Sequence, residues 1–402
     1  MAAVAREVTP PCHLNPLLFN GHVQTMWTAT KQEGPTVHYK RKVFDSDNKT
    51  CPGTYSVDFV EEPFEESDST LPPHTVFYND SELAGLGSDD TRPQLVVLHG
   101  LSGGSHEIYL RHAIAPLVES GDWEICVVNS RGCAMSPITS GVLYNARATW
   151  DIRQTVKWLR KKFPNRPLYG LGFSLGANIL TNYCGEEGLD CQLKAAIVCS
   201  NPFNLEVSNK ALRRTLLGKE VYQRVMGNSM KELAKRHKVA IETHTCLDYE
   251  RLASITYLYE FDRELQCPLW GYPTEDAYYR DASSTDAVLA IRIPFLAVHA
   301  VDDPIAVDEA VPYREFEANP YTAIVATSLG GHLCWFELGG GRWFAKPVCN
   351  FLNKMQFEID GVGDGAPSEK KSVDGRAQSP YPTGYQGANF QPMRRKMHIS
   401  HD

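Results

Sequence analysis

A serine, an aspartate and a histidine stand out among the polar residues of this 402-residue sequence. Ser174 lies in the stretch GLGFSLGAN, with one glycine two residues before it and another two residues after it. Asp303 follows the apolar run IPFLAVHA, and His332 follows two glycines after TAIVATSL. A serine hydroxyl becomes a nucleophile when a histidine removes its proton and an acid orients that histidine. These residue types therefore predict acyl transfer through a covalent acyl-serine.

The glycines around Ser174 suit a sharp turn between a strand and a helix. Gly172 and Gly176 have no Cβ that would crowd the neighbouring backbone. PLYGLGF before the serine is typical of a strand, and LGANILTNYC after it is typical of a helix. A glycine-lined turn without a catalytic role is the competing interpretation, because so short a pattern also arises by chance. The strand-to-helix context favours the nucleophile.

The acid must be chosen between two adjacent aspartates. Asp302 and Asp303 follow the same apolar run, and neighbouring side chains cannot both face one histidine. Pro304 favours extended backbone in the residue before it, and the spacing from Ala300 to Asp303 suits a turn after this strand. We therefore predict Asp303 as the acid, with Asp302 as the alternative. His332 is favoured as the base because it follows the last strand-like run.

A glycine-rich turn offers donors for the oxyanion that forms during acyl transfer. The stretch VVLHGLSGGSHEIYL runs from a strand into this turn. We expect the backbone N–H groups of Leu101 and Leu175 to form the oxyanion hole. A phosphate cradle is the rival interpretation, but the turn has neither the Lys-Ser/Thr pair of a P-loop nor the spacing G-x-G-x-x-G.

These residues need a scaffold that gathers the ends of several strands. Six apolar runs are the candidate strands, at residues 93–100, 123–132, 167–174, 194–202, 293–300 and 322–332. Continuous apolar strands alternating with helical patterns are typical of a mostly parallel sheet with helices on both faces. The chain order serine, aspartate, histidine is that of α/β hydrolases. The sequence therefore predicts an α/β protein with the α/β-hydrolase fold.

The same patterns predict how the chain is divided. We expect an N-terminal segment with antiparallel edge strands (1–92), a core in two parts (93–202 and 292–358), a mainly helical cap insertion (203–291) and a disordered tail (359–402). Within the first segment, residues 66–92 are polar and interrupted by proline and glycine, which predicts a surface connection. In the block FNGHVQTMW, we favour packing with buried hydrogen bonds at the sheet edge over an extra site at His22 and Gln24.

Composition narrows the partners and the compartment. A formal charge of −8 argues against nucleic acid, which needs a basic surface. Eleven cysteines without a C-x-x-C pair fit reduced thiols in an intracellular, cytoplasmic protein. The first residues lack the apolar segment of a secretory signal, and we find no apolar run of the roughly 18 residues that a spanning helix needs. Peripheral attachment to a lipid surface stays open.

Seven blocks extend in order over about residues 14–355: NGHVQTMW, HGLSGGSHEIYLR, VNSRGCAMSP, GFSLGANIL, SNPFNLE, VDDP and GGHLCWFE. Together they resemble the YheT-type subgroup of α/β hydrolases. The stretch VKWLRKKFPNRPLYGLGFSLGANILTNYCGEEG is most similar to its fungal branch, the medium-chain fatty acid ethyl ester synthase/esterases.

The resemblance implies that Ser174, Asp303 and His332 are nucleophile, acid and base. It also implies medium-chain acyl esters or acyl-CoA as donors, water or a short-chain alcohol such as ethanol as acceptor, and no cofactor or metal. A phospholipase or monoacylglycerol lipase of the same fold is the alternative, and contact with a membrane or lipid droplet stays open. A catalytically silent hydrolase fold used for binding is a further alternative, against which the complete set of three residues argues.

Overall fold

The computed structural model describes residues 1–30, 33–359 and 391–395, and the strands in these ranges form one nine-stranded sheet. The strands are β1 (His38–Asp45), β2 (Thr54–Glu61), β3 (Thr75–Phe77), β4 (Gln94–Leu98), β5 (Glu124–Asn129), β6 (Leu168–Phe173), β7 (Leu193–Cys199), β8 (Phe295–Ala300) and β9 (Thr322–Thr327). Their order across the sheet is β3-β1-β2-β5-β4-β6-β7-β8-β9. Strands β4 to β9 pair in parallel, whereas β2 is antiparallel to both β1 and β5. The predicted α/β-hydrolase fold is confirmed.

Helices cover the sheet and form the region between β7 and β8. They are α1 (Ala2–Val8), α2 (Gly21–Thr28), α3 (Asp80–Gly85), α4 (Ile108–Ser120), α5 (Trp150–Lys162), α6 (Leu175–Glu187), α7 (Leu205–Arg214), α8 (Arg224–Arg236), α9 (Lys238–His244), α10 (Tyr249–Ser254), α11 (Leu258–Trp270), α12 (Glu275–Ala282), α13 (Thr285–Ala290), α14 (Tyr313–Ala318) and α15 (Ala345–Asn353). Among the helices described, none combines the length and apolar character needed to cross a bilayer.

Two hydrophobic clusters, one on each face of the sheet, form the core. Leu95 and Val97 of β4 belong to the cluster that includes α1, α4 and α15, whereas Val96 and Leu98 belong to the cluster that includes α5 and α6. This division follows from strand geometry, in which successive side chains point to opposite faces. A strand buried on both faces must be apolar at every position, which explains the continuous apolar runs.

The region between β7 and β8 consists of helices α7 to α13 and a π-helical turn at Gly218–Gln223. We call this helical region the cap. Its apolar residues, among them Met230, Phe261 and Leu265, form a third cluster together with Leu143 and Tyr144 of the loop after β5. The cap is thus joined to the core by apolar contacts.

One part of the chain differs from the sequence-based expectation. Residues 66–92 contain β3 and α3 as well as irregular backbone, because β3 pairs with β1 and a capping box joins Asn79 and Glu82 at the start of α3. The predicted disordered tail, 359–402, lies outside the described residues except at 359 and 391–395. There Pro392–Arg395 forms a 3₁₀ turn beside α13.

Candidate active site

The turn between β6 and α6 consists of Ser174 alone. Its backbone has φ 50° and ψ −117°, a strained conformation for a residue with a Cβ. A Cβ on Gly172 would lie 2.7 Å from the Cα of Ala177, and one on Gly176 would lie 2.4 Å from the carbonyl oxygen of His99. Both glycines are therefore required by close backbone approach, which explains the G-x-S-x-G spacing. The turn places Ser174 at the carboxyl edge of the sheet.

Ser174, His332 and Asp303 form a hydrogen-bonded row at this edge. Nε2 of His332 lies 2.9 Å from Oγ of Ser174, and its Nδ1 lies 2.8 Å from Oδ2 of Asp303. The Asp303 carboxylate also accepts the backbone N–H groups of Ile305 and Ala306 at 2.8 and 2.9 Å. With Nδ1–H donating to Asp303, Nε2 can accept the proton of the serine hydroxyl. These distances are within the range for direct proton transfer.

Asp302 occupies a different position from its neighbour. Its Oδ1 accepts the N–H of Gly331 at 3.0 Å. Burial raises the pKa of this carboxyl. The structure therefore brings the predicted acid, Asp303, to the His332 ring, while Asp302 fixes the loop that precedes the histidine.

The two predicted oxyanion donors lie on separate elements beside Ser174. Leu175 is the first residue of α6, where a backbone N–H has no acceptor within the helix. A Cβ on Gly100 would lie 3.4 Å from the Cβ of Ser174, so the loop after β4 passes close to the serine. The N–H of Gly100 already donates to the Tyr109 hydroxyl at 2.7 Å, which leaves Leu101 as the next donor on this loop. The oxyanion role of Leu101 and Leu175 remains a prediction.

A buried ion pair holds the loop after β4. Arg41 contacts Asp58 through Nε and Nη2 at 2.6 and 2.8 Å. Oδ2 of Asp58 also accepts the Ser105 hydroxyl at 2.6 Å and the Asn129 amide at 2.8 Å. The side-chain oxygen of Asn129, Oδ1, in turn accepts the backbone N–H of Ser105 at 3.1 Å. This network, which the sequence reasoning missed, anchors the loop to β1, β2 and β5.

Helix α2 supports the loop that carries the histidine. Oγ1 of Thr25 accepts the backbone N–H of His332 at 3.0 Å. The buried Gln24 amide makes two backbone hydrogen bonds, one of them to the segment after the histidine. Nδ1 of His22 lies 2.8 Å from the hydroxyl of Tyr222 in the cap. The FNGHVQTMW block thus packs with buried hydrogen bonds, and the residue that sequence reasoning missed is Thr25.

His99, the residue directly after β4, makes backbone contacts with both of its ring nitrogens. Its Nε2 accepts the N–H of Ser130 at 3.0 Å, and its Nδ1 lies 2.7 Å from the carbonyl oxygen of Gly100. Burial lowers the pKa of His99 to about 4. The ring therefore stays neutral and shapes the turn. Among the residues that the structure describes, no group of three or more His, Cys, Asp or Glu side chains is arranged to hold a metal ion.

A pocket extends from Ser174 between the sheet edge and the cap. Its empty space amounts to about 670 Å³ when the part open to solvent is included. Apolar side chains from the core and cap line much of it, including Leu175, Leu205, Leu212, Met226, Leu258 and Ile305. The pocket therefore offers an apolar surface to a ligand that reaches the serine.

Asp262 on α11 adds a carboxyl to the same pocket. Burial raises its pKa to about 7, although the Tyr279 hydroxyl donates a hydrogen bond to its Oδ2 at 2.7 Å. Near neutral pH this group therefore exists in both protonation states.

The mostly parallel sheet, the serine turn at its carboxyl edge and the helical cap define the α/β-hydrolase class. A family profile described as "alpha/beta hydrolase fold" matches residues 93–333, which is more than half of the chain. The chain therefore belongs to the α/β hydrolase fold family.

Three curated proteins are similar to this chain over 60% or more of its length. The monoacylglycerol lipase of Saccharomyces cerevisiae is 37% identical over 371 residues, covering 86% of this chain and 81% of that protein. Medium-chain fatty acid ethyl ester synthase/esterase 2 of the same yeast is 32% identical over 388 residues, covering 85% of each. YheT of Escherichia coli is 31% identical over 242 residues, covering 60% of this chain and 70% of that protein. The predicted YheT-type resemblance is confirmed, and the relatives place the chain among hydrolases of the esterase and lipase kind.

Proposed function

We propose that this protein is a serine carboxylic-ester hydrolase and alcohol O-acyltransferase that acts on medium-chain fatty acyl esters. One observation carries the proposal: Ser174, His332 and Asp303 form a hydrogen-bonded row at one end of a largely apolar pocket. The row has the three groups that nucleophilic acyl transfer requires, and the apolar walls suit a fatty acyl chain.

The reaction proceeds in two halves. Oγ of Ser174 attacks the ester carbonyl carbon while His332 takes the hydroxyl proton, and Asp303 stabilises the resulting imidazolium. The N–H groups of Leu101 and Leu175 bind the oxygen that becomes negative. The bond to the alcohol oxygen then breaks, and His332 protonates the leaving alcohol. In the second half His332 removes a proton from water or a new alcohol, which attacks the acyl-serine and releases an acid or an ester.

Two kinds of acyl ester are the leading substrates. Ethyl esters, with ethanol as acceptor and acyl-CoA as a further donor, are suggested by the 32% identity to the yeast ethyl ester synthase/esterase. Monoacylglycerols are the second candidate, supported by the 37% identity to the yeast monoacylglycerol lipase. Phospholipids are a third substrate class for the same chemistry, and a silent binding protein is disfavoured because all three groups are present and aligned.

We also propose a cytoplasmic location with peripheral contact to lipid surfaces. All eleven cysteines are free thiols, as in a reducing compartment. Leu17, Phe19 and Leu216 expose 78%, 67% and 79% of their surface, so apolar side chains are available for lipid contact. Cosedimentation with phosphatidylcholine vesicles tests this contact, and an L17S/F19S variant should bind them less. Equal binding by both proteins would refute the role of these side chains.

Turnover of a matched set of octanoyl esters tests the proposed activity. The set is ethyl octanoate, 1-octanoylglycerol, dioctanoyl phosphatidylcholine and octanoyl-CoA, each with and without ethanol. We expect octanoate from at least one ester in water and ethyl octanoate when ethanol is added to a different donor. The Ser174→Ala variant is the control and should form neither product. Absence of turnover by the folded protein for every member of the set would refute the proposal.

A further inference from the structure

The pocket beside Ser174 contains polar side chains that an acyl chain does not need. Among the described residues, four that line it carry a buried polar atom without a hydrogen-bond partner. These atoms are Oη of Tyr144, Oγ of Ser208, Nδ2 of Asn209 and Oε1 of Gln266. We call these four residues the polar subsite. They come from the loop after β5, from α7 and from α11, and the fold brings all four to the lining of one pocket.

Both amides of the polar subsite are held at one end and unpaired at the other. Oδ1 of Asn209 accepts a hydrogen bond from Nε2 of Gln223 at 2.9 Å. Nε2 of Gln266 donates to the backbone carbonyl of Tyr144 at 3.2 Å. These contacts fix the orientation of each amide and leave one donor, on Asn209, and one acceptor, on Gln266. Burying such groups without partners costs free energy, and a ligand that pairs with them removes this cost.

The charges around the pocket indicate a neutral ligand at the polar subsite. No residue lining the pocket in the described part of the chain is a lysine or arginine. Among the described residues that line the pocket, Asp262 is the one carboxyl, and it offers no positive charge to a phosphate or carboxylate. A phosphate-bearing head group therefore has no cationic partner here. Hydroxyl groups fit instead, because each both donates and accepts a hydrogen bond and can pair with either amide or either hydroxyl of the polar subsite.

We infer that Tyr144, Ser208, Asn209 and Gln266 bind hydroxyl groups of the ester substrate and so select hydroxylated esters over simple alkyl esters. The inference rests on the proposed function, because Ser174 lines the same pocket and must cleave the ester bond. An ethyl ester of the same acyl length leaves the four polar atoms unpaired. Sites built to bind a hydroxyl discriminate strongly against the analogue that lacks it. The hydroxyls can belong to the alcohol part, as in a glyceryl ester, or to the acyl chain.

Three octanoyl esters distinguish these cases: 1-octanoylglycerol, ethyl 8-hydroxyoctanoate and ethyl octanoate. We expect kcat/KM of the wild-type protein to be at least about tenfold higher for one hydroxylated ester than for ethyl octanoate. Preference for the glyceryl ester assigns the polar subsite to the alcohol part, and preference for the hydroxyoctanoate assigns it to the acyl chain.

Two variants that each remove one oxygen atom, Tyr144→Phe and Ser208→Ala, test the residues themselves. Each should lower the selectivity ratio, which is kcat/KM for the preferred ester divided by that for ethyl octanoate, by about three- to tenfold. Tyr321→Phe is the matched control, because its hydroxyl is also buried without a partner among the described residues but does not line the pocket. It should leave the ratio unchanged.

The outcomes separate the inference from the function on which it rests. Turnover of ethyl octanoate with a wild-type ratio near one, or with the same ratio in both variants, overturns the polar subsite and leaves the esterase proposal standing. Absence of turnover for these three esters and for the other octanoyl donors named above overturns both proposals. Thermal unfolding of each variant verifies that the folded protein is being compared.

Discussion

Polar side chains at the sheet edge and in the cap differ in whether they have hydrogen-bond partners in the described residues. At the sheet edge Ser174, His332 and Asp303 are already hydrogen-bonded to one another, and Asp303 is held by two further backbone N–H groups. Across the pocket the cap carries buried polar atoms, among them Nδ2 of Asn209, that have no partner in the described residues. The three candidate catalytic side chains are thus in contact before a substrate arrives, whereas in our proposal the substrate supplies the missing partners of the polar subsite.

Replacement of Ser174, the proposed nucleophile, should cause the largest loss of activity. Ser174→Ala should lower kcat/KM for acyl esters by at least about 10⁴-fold, since loss of a nucleophile that works with its base removes the covalent route. Steady-state kinetics on ethyl octanoate measures the loss, and unfolding curves serve as the control for folding. A variant that keeps more than a tenth of the activity would contradict the nucleophilic role.

The adjacent aspartates offer a sharper comparison within the sheet edge. Asp303→Asn should lower kcat by about 10³- to 10⁴-fold, because the amide no longer stabilises the charged His332 ring. Asp302→Asn should lower it only about two- to threefold, because an asparagine oxygen can still accept the N–H of Gly331. The pair is matched in chemistry and differs by one position. Equal losses of kcat in the two variants, or a larger loss in Asp302→Asn, would show that Asp303 is not the acid.

Support of the histidine loop by α2 should have a smaller effect. Thr25→Val keeps the side-chain shape but removes the oxygen that accepts the His332 N–H. We expect kcat to fall about three- to tenfold and the free energy of unfolding to fall by about 1 kcal/mol. Thr91→Val, at an exposed position in the loop before β4, is the control and should change neither quantity. An unchanged kcat for Thr25→Val would show that the histidine loop needs no help from α2.

The smallest effect on activity is expected at Asp262 in the cap, where the readout is stability. Its carboxyl has a pKa of about 7 in the folded protein against an ordinary 3.8, so the folded state binds the proton more tightly than the unfolded state. The free energy of unfolding should therefore decrease as pH rises from about 4 to 7, by at most about 4 kcal/mol. Asp262→Asn should flatten this decrease, measured by urea unfolding across that range. Exposed Asp190→Asn should retain it.

Local patterns predict the sheet and the three candidate catalytic residues because both depend on short segments. The six apolar runs correspond to β4 to β9, and the glycines around Ser174 encode the turn through close backbone contact. Contacts between segments that are distant in sequence cannot be predicted in this way. Thr25 and His332 are 307 residues apart in sequence, and no pattern around either indicates the other. The short strand β3 was missed for a related reason: its three residues gain their structure by pairing with β1.

The polar subsite could not be predicted for the same physical reason. Ser208 and Asn209 lie in an ordinary amphipathic helix, and Gln266 lies in another. Whether a polar side chain is paired or unpaired depends on the packing of the cap, which composition and spacing do not encode.

Labelling with a fluorophosphonate probe tests the central claim, that Ser174 is the nucleophile, most directly. We expect one adduct per chain by intact mass, located on the peptide that contains Ser174, and no adduct on the Ser174→Ala variant. Folded wild-type protein that hydrolyses acyl esters but stays unlabelled, or carries the adduct on another residue, would contradict it.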